Sequence, residues 1–99
     1  MNALDRRPKL AKKVRVRFDR REEKWMLVAP ERGLFLNESA KGVVDLLDGS
    51  RTEDQIVETL FSEHRAADSD ENELRARIAK DVGALLETLR SRVLLEPGT

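Results

Sequence analysis

Ninety-nine residues with 39% hydrophobic content fit one compact domain, and with only 4% aromatic residues its core has to be built from Leu, Val and Ile. The absence of cysteine excludes disulfides, iron–sulfur ligation, thiolate zinc sites and cysteine nucleophiles. The 19 basic and 19 acidic residues cancel, but residues 1–24 hold ten basic against four acidic side chains, a local balance of +6 that leaves −6 for the rest, and this reads as a solvated basic arm beside an acidic helical body.

In chain order, residues 1–13 carry Pro8 and dense charge without periodicity, so they are expected to form a flexible basic N-terminal arm that contributes little to the core, with residues 14–96 as a single domain. This stretch lacks the apolar run of a signal peptide. Nor does any later segment approach the ~18 apolar residues that span a bilayer, so a cytoplasmic protein without membrane contact is expected. From Val14 to Phe18 apolar and cationic residues alternate, the pattern of a strand with one buried face. Trp25 to Ala29 follows a polar turn and is β-prone, which predicts a hairpin ended by Pro30. The Pro30 to Gly33 stretch reads as a tight turn, Gly33 being able to take a positive φ, and Leu34 to Leu36 as a short third strand.

Helical signals begin at Asn37, a good N-cap, after which Ala40, Val43, Val44 and Leu47 recur at helical spacing over about three turns, with Gly49 just past the end. Thr52 with Gln55 has the spacing of a capping box and precedes the apolar stripe Ile56, Val57, Leu60 and Phe61, a second helix that ends near His64. Arg65 to Ser69 reads as a polar linker. Asp70 with Glu73 repeats the capping-box spacing ahead of a long third helix marked by Leu74, Ile78, Val82, Leu85, Leu86 and Leu89. Val93 to Leu95 is either a final strand or an apolar tail on the core. The predicted class is α+β, winged helix-turn-helix-like, with a three-stranded antiparallel sheet followed by three helices.

No constellation of residues speaks for catalysis. Asp68, Asp70 and Asn72 imitate the start of a calcium loop, but Glu73 stands where Gly is required and Ala79 where a bidentate Glu is required. Asn37-Glu38-Ser39 fits the glycosylation pattern, and capping explains Asn37 as well. His64, the lone histidine, has no evident catalytic or metal-binding partner. Without a phosphate loop, a nucleophile elbow or a His–carboxylate cluster, the chain is expected to be a binding protein with no metal, no cofactor and no enzymatic activity. A winged-helix reading would place the third helix in the DNA major groove. That helix mixes Arg75, Arg77, Lys80, Arg90 and Arg92 with Glu71, Glu73, Asp81 and Glu87, a near-neutral surface that gains little from counterion release, so nucleic acid is not expected as the partner.

The run Val14-Arg-Val-Arg-Phe-Asp19, the segment from Trp25 through Ala29-Pro30-Glu31-Arg32 to Asn37, then Ala40, Leu46-Leu-Asp-Gly49, Arg51-Thr52, Ile56 and the closing Asp81-Val82 to Leu89 together resemble the PqqD family over about residues 7–95. Two departures stand out. The family usually has Gly before the final apolar residues, where this chain reads Ser91-Arg92-Val93, and residues 62–73 are longer and more acidic than usual. The resemblance implies a peptide chaperone in pyrroloquinoline quinone biosynthesis, which binds the precursor peptide PqqA and delivers it to the radical S-adenosylmethionine enzyme PqqE. Related domains recognise leader peptides of other ribosomally made, modified peptides.

A short strand at a sheet edge leaves backbone groups that an extended peptide can complete, so Gly33, Leu34, Phe35 and Leu36 are the expected edge. The family places the third helix beside it, where Leu74, Arg75, Ile78, Val82 and Leu85 are the candidates for a side-chain groove, with Arg75 available for a peptide carboxylate.

Overall fold

The computed structural model describes residues 6–65 and 70–99. The first five residues of the expected arm, most of the expected linker and Asp68 lie outside the described residues. Strands β1 (Arg15–Asp19), β2 (Lys24–Ala29) and β3 (Arg32–Leu36) form an antiparallel meander in the order β1-β2-β3 and are followed by α1 (Glu38–Val44), α2 (Glu53–His64) and α3 (Glu71–Ser91). This is the α+β order read from the sequence.

Local chemistry explains each turn. Asp19 accepts hydrogen bonds from the N–H groups of Arg21 (2.9 Å) and Glu22 (3.3 Å), and Glu23 takes a positive φ of 55°, which returns the chain into β2. Ala29 pairs with Arg32, so the second hairpin turns on Pro30 and Glu31 alone. Gly33 is therefore inside β3, opposite Val28, without the positive φ expected of a turn residue. A glycine fits there because a Cβ would lie 3.1 Å from Cε of Met26 on the neighbouring strand.

The strand register sets Val16, Leu27, Leu34 and Leu36 on the inner face, where they meet Val43 and Val44 of α1, Ile56, Val57 and Leu60 of α2, and Val82, Leu86 and Leu89 of α3. Phe18 and Trp25 share that face beyond the core, their rings 5.1 Å apart, with Nζ of Lys41 4.3 Å from the Trp25 ring. Caps fix the helix starts. Asn37 accepts from the N–H of Ala40 at 2.8 Å, Thr52 and Gln55 form both bonds of a capping box, and Asp70 accepts from the N–H of Glu73. The first helix is shorter than its periodicity suggests. Beyond Val44 the N–H groups of Leu46 and Leu47 bond three residues back, which tightens the last turn and drives Leu47 into the core.

The expected arm is in part a structural element. Pro8 is fully buried, its carbonyl accepts from the N–H of Gly49 at 3.1 Å, and Leu10 donates to the carbonyl of Leu47. On its other side Lys9 accepts from Glu96 at 2.8 Å and Ala11 donates to Leu94 at 2.9 Å. Residues 8–11 thus lie as an extended segment between the α1–α2 turn and the C-terminal tail, and the folded body begins before Val14. The Asp48-Gly49 turn is shaped to receive them: Gly49 has φ 84°, and a Cβ there would lie 3.2 Å from Cδ of Lys9. Hydrogen bonds from the Ser50 hydroxyl and N–H, reinforced by Arg51, hold the Asp48 carboxyl below its ordinary pKa.

Helix α3 ends in a Schellman motif. The N–H of Leu94 bonds to the carbonyl of Leu89 (2.9 Å) and that of Val93 to Arg90 (3.1 Å), while Leu89 and Leu94 are both buried. The residue that must adopt the left-handed conformation is Val93, at φ 58°, where glycine is usual. Alongside, α3 packs on α2 through Arg75, whose Nε lies 2.8 Å from Oε1 of Glu58 and whose guanidinium sits 4.2 Å from the centre of the Phe61 ring.

A left-handed backbone costs a residue with a side chain about 1–2 kcal/mol, and the greater freedom of glycine in the unfolded chain offsets about 0.4–1 kcal/mol of that. Val93→Gly is therefore expected to stabilise the fold by about 0.5–1 kcal/mol, read as a higher urea midpoint at unchanged slope. For the half-exposed Arg75–Glu58 pair, a double-mutant cycle with alanine is expected to return a coupling of about 0.5 kcal/mol. Arg75→Ala is expected to cost more than Glu58→Ala, because it also uncovers the Phe61 ring.

Candidate functional site

β3 lies at the edge of the sheet, with β2 on one side and, among the described residues, no strand on the other. Its five residues span about 16 Å of open backbone. The strand runs straight into Asn37, which caps α1, and Asn37 is also the first residue of a groove of about 490 Å³ between α1 and α3. The floor of this groove is apolar: Ala40 and Val43 come from α1, Leu60 from α2, and Leu74, Ile78, Val82 and Leu85 from α3. Val82 is fully buried and anchors the floor to the core, whereas Leu74, Ile78 and Leu85 are half-buried with one side open to solvent. Polar groups line the rim, among them Ser39, His64, Arg77 and Asp81. The ring Nδ1 of His64 lies 2.8 Å from the carbonyl of Leu60, an arrangement in which Nδ1–H donates and the ring is held at the end of α2.

Of the residues expected on the third helix, Leu74, Ile78, Val82 and Leu85 come together in this groove. Arg75 does not. At about 100° per residue it falls on the flank of α3 turned to α2, where Glu58 and Phe61 already engage it, so the expected carboxylate-binding role has no support from its position. Arg77 falls on the opposite flank and takes the place at the rim. Helical phase sets the two on opposite flanks of the stripe Leu74, Ile78, Asp81 and Leu85, and the packing of α2 against the Arg75 flank leaves Arg77 at the groove. His64 and Ser39 are brought in by tertiary packing.

The four residues expected on β3 do not line the groove; they provide its approach. Leu34 and Leu36 point inward, Leu36 being 4% exposed, and so they support the core. Phe35 points to the outer face, 50% exposed, with Nζ of Lys24 5.7 Å from its ring centre. What β3 can offer a ligand is its backbone and the exposed side of Gly33 and Phe35.

Among the described residues no polar or charged side chain is buried, and no three His, Cys, Asp or Glu side chains converge as a metal site would need. An open strand edge beside a half-apolar groove can take an extended peptide, the edge binding its main chain and the groove alternate side chains.

The sequence profile of Coenzyme PQQ synthesis protein D (PqqD) matches residues 24–95. The chain is 33% identical over 89 residues to the PqqA binding protein of Rhodopseudomonas palustris (strain BisB5), covering 90% of this chain and 80% of that one. It is 38% identical over 91 residues to the PqqA binding protein of Xanthomonas axonopodis pv. citri (strain 306), covering 92% and 91%. Its fold is similar to the solution structure of the PqqD part of Methylobacterium extorquens PqqCD, described as a functional, stand-alone recognition element for ribosomally synthesized and post-translationally modified peptides; the TM-score is 0.67 at 33% identity, with 97% of this chain and 94% of that one covered. The crystal structure of PqqD from Xanthomonas campestris is similar as well, with a TM-score of 0.54 at 35% identity and coverage of 97% and 99%. With a fold and a sequence that both agree with these proteins, the chain belongs to the PqqD family.

Proposed function

We propose that this chain is a non-catalytic, cytoplasmic peptide chaperone that binds a PqqA-like precursor peptide and presents it to a PqqE-like radical S-adenosylmethionine enzyme. The observation that carries this reading is the continuity of the open β3 edge with the α1–α3 groove through Asn37. An extended peptide added to β3 would direct every second side chain along the sheet surface and deliver its next residues to Ile78, Leu74 and Leu85. Relatives named PqqA binding protein support the choice of peptide. The description of the Methylobacterium extorquens domain as a recognition element supports the mode.

Strand addition by itself is nearly blind to sequence, so the groove supplies the selectivity. Its floor takes an aliphatic or aromatic side chain, and Arg77 and Asp81 flank that side chain with opposite charges. Holding a flexible peptide in this way raises its effective concentration at the enzyme without chemistry by the adaptor. A duplex DNA partner is disfavoured by α3, where four basic residues are matched by four acidic ones. Among the described residues no helix is long and apolar enough to cross a membrane.

The test is a titration of labelled chain with a PqqA-type peptide, followed residue by residue by NMR. Shifts are expected along Gly33 to Asn37 and on the Leu74, Ile78 and Leu85 face of α3. Ile78→Glu places a charge on the apolar floor and is expected to weaken binding by about 2 kcal/mol or more while the far-ultraviolet spectrum stays native. Arg75→Ala, on the other flank, is expected to leave affinity within about 0.5 kcal/mol of the parent. Shifts confined to α2, or full affinity in a folded Ile78→Glu variant, would move the site elsewhere.

A further inference from the structure

At the opposite end of α3 a second cleft, of about 340 Å³, opens between the segment entering β1, the β2–β3 turn and the C-terminus of the helix. Two features there have no account in the fold. The first is that the left-handed position closing α3 holds not glycine but Val93, a β-branched residue at φ 58° that is 73% exposed. Its conformation is disfavoured for any residue but glycine, and its side chain returns nothing to the core. The second is charge: Lys12, Lys13, Arg32 and Arg92 border the cleft against a single acid, Glu31, and among the described residues none of these four cations is in a salt bridge. Arg32 donates to the carbonyl of Arg92 at 2.9 Å, which ties the turn to the helix end and holds the Arg32 guanidinium beside Val93.

We propose that this cleft docks an acidic segment of a partner protein, a stretch in which carboxylates flank an aliphatic side chain, with Val93 as the apolar anchor. Carboxylates suit four cations gathered on the rim, two of them guanidinium groups able to bind in bidentate fashion. An aliphatic residue suits the apolar lining, to which Ala11, Val14, Leu94 and the exposed Val93 contribute. Such a site combines a desolvated apolar centre with a charged rim, the division of labour found at protein interfaces. The strain at Val93 then has a reason, since glycine would close the helix at lower cost but leave the centre of the cleft bare. The peptide groove lies on the other half of α3, so the inference is independent of the function proposed above.

The probe is a capped Glu-Leu-Glu-Glu-Leu-Glu peptide, titrated into labelled chain and followed by NMR, beside Gln-Leu-Gln-Gln-Leu-Gln and Glu-Ser-Glu-Glu-Ser-Glu controls. The acidic, leucine-bearing peptide is expected to shift Lys12, Lys13, Arg32, Arg92 and Val93, and each control to bind about tenfold more weakly or not at all. Val93→Gly is expected to lose about tenfold in affinity although it is the more stable protein, so the loss cannot be unfolding. Lys13→Glu combined with Arg92→Glu is expected to abolish the shifts, and Ile78→Glu to leave them unchanged. The proposal is overturned if Val93→Gly binds as tightly as the parent, if the serine control binds equally well, if the shifts fall in the α1–α3 groove, or if a short DNA duplex outcompetes the peptide at the same residues.

Discussion

The fold depends on one buried stripe of α3. Val82, Leu86 and Leu89 are fully buried, and the sheet, α1, α2 and the C-terminal tail all close on them. The helix, at 21 residues and about 32 Å, is longer than the strands it covers, which reach about 16–20 Å. A three-stranded sheet can therefore shield only part of it. Along its length α3 packs chiefly on α2, with the short α1 on its other side. The seven-residue α1 is too short to cover that side of α3, so Leu74, Ile78 and Leu85 stay half-buried and line the α1–α3 groove.

The same mismatch makes the chain ends part of the core. With so small a sheet, Leu47, Leu94 and Leu95 need cover that no helix provides, and residues 8–11 provide it by bonding to the α1–α2 turn on one side and to the tail on the other. The Asp48-Gly49 pair owes its identity to this docking. Asp48 secures Ser50, and Gly49 admits the backbone of Pro8 and the stem of Lys9, so a motif that looks like a helix stop is also a receptor for the N-terminal segment.

Features with a local cause were legible in the sequence. Asn37, Thr52 with Gln55, and Asp70 cap the helices they were read to cap, because an N-cap bond spans three residues and needs no other part of the chain. The alternation from Val14 to Phe18 likewise carried its strand. Features with a distant cause were not. Residues 8–11 look like a charged arm because their partners lie about 40 and 85 positions away. Gly33 looks like a turn residue because its real neighbour, Met26, is set by strand register. In the candidate site the apolar stripe of α3 was readable from its period, but the choice between Arg75 and Arg77 required knowing which flank α2 occupies. Val93 was visible as a missing glycine, yet only the bonds from Leu94 to Leu89 and from Val93 to Arg90 show that the position needs a left-handed backbone.

From Ile78 to Val93 is about 20 Å along α3, so the groove and the basic cleft open at opposite ends of one rigid helix with the core between them. That separation matters for an adaptor. If a peptide and a protein partner used one surface, each would exclude the other and delivery would require release. With the two proposed surfaces on one body, both ligands would be held at once, and the bound peptide would be confined near the partner at an effective concentration set by the helix instead of by diffusion. The two surfaces also differ in chemistry: backbone pairing and an apolar groove with a mixed-charge rim at one end, a rim of cations around one exposed aliphatic side chain at the other. On this reading a neutral chain of 99 residues would discriminate two partners by where it keeps its positive charge.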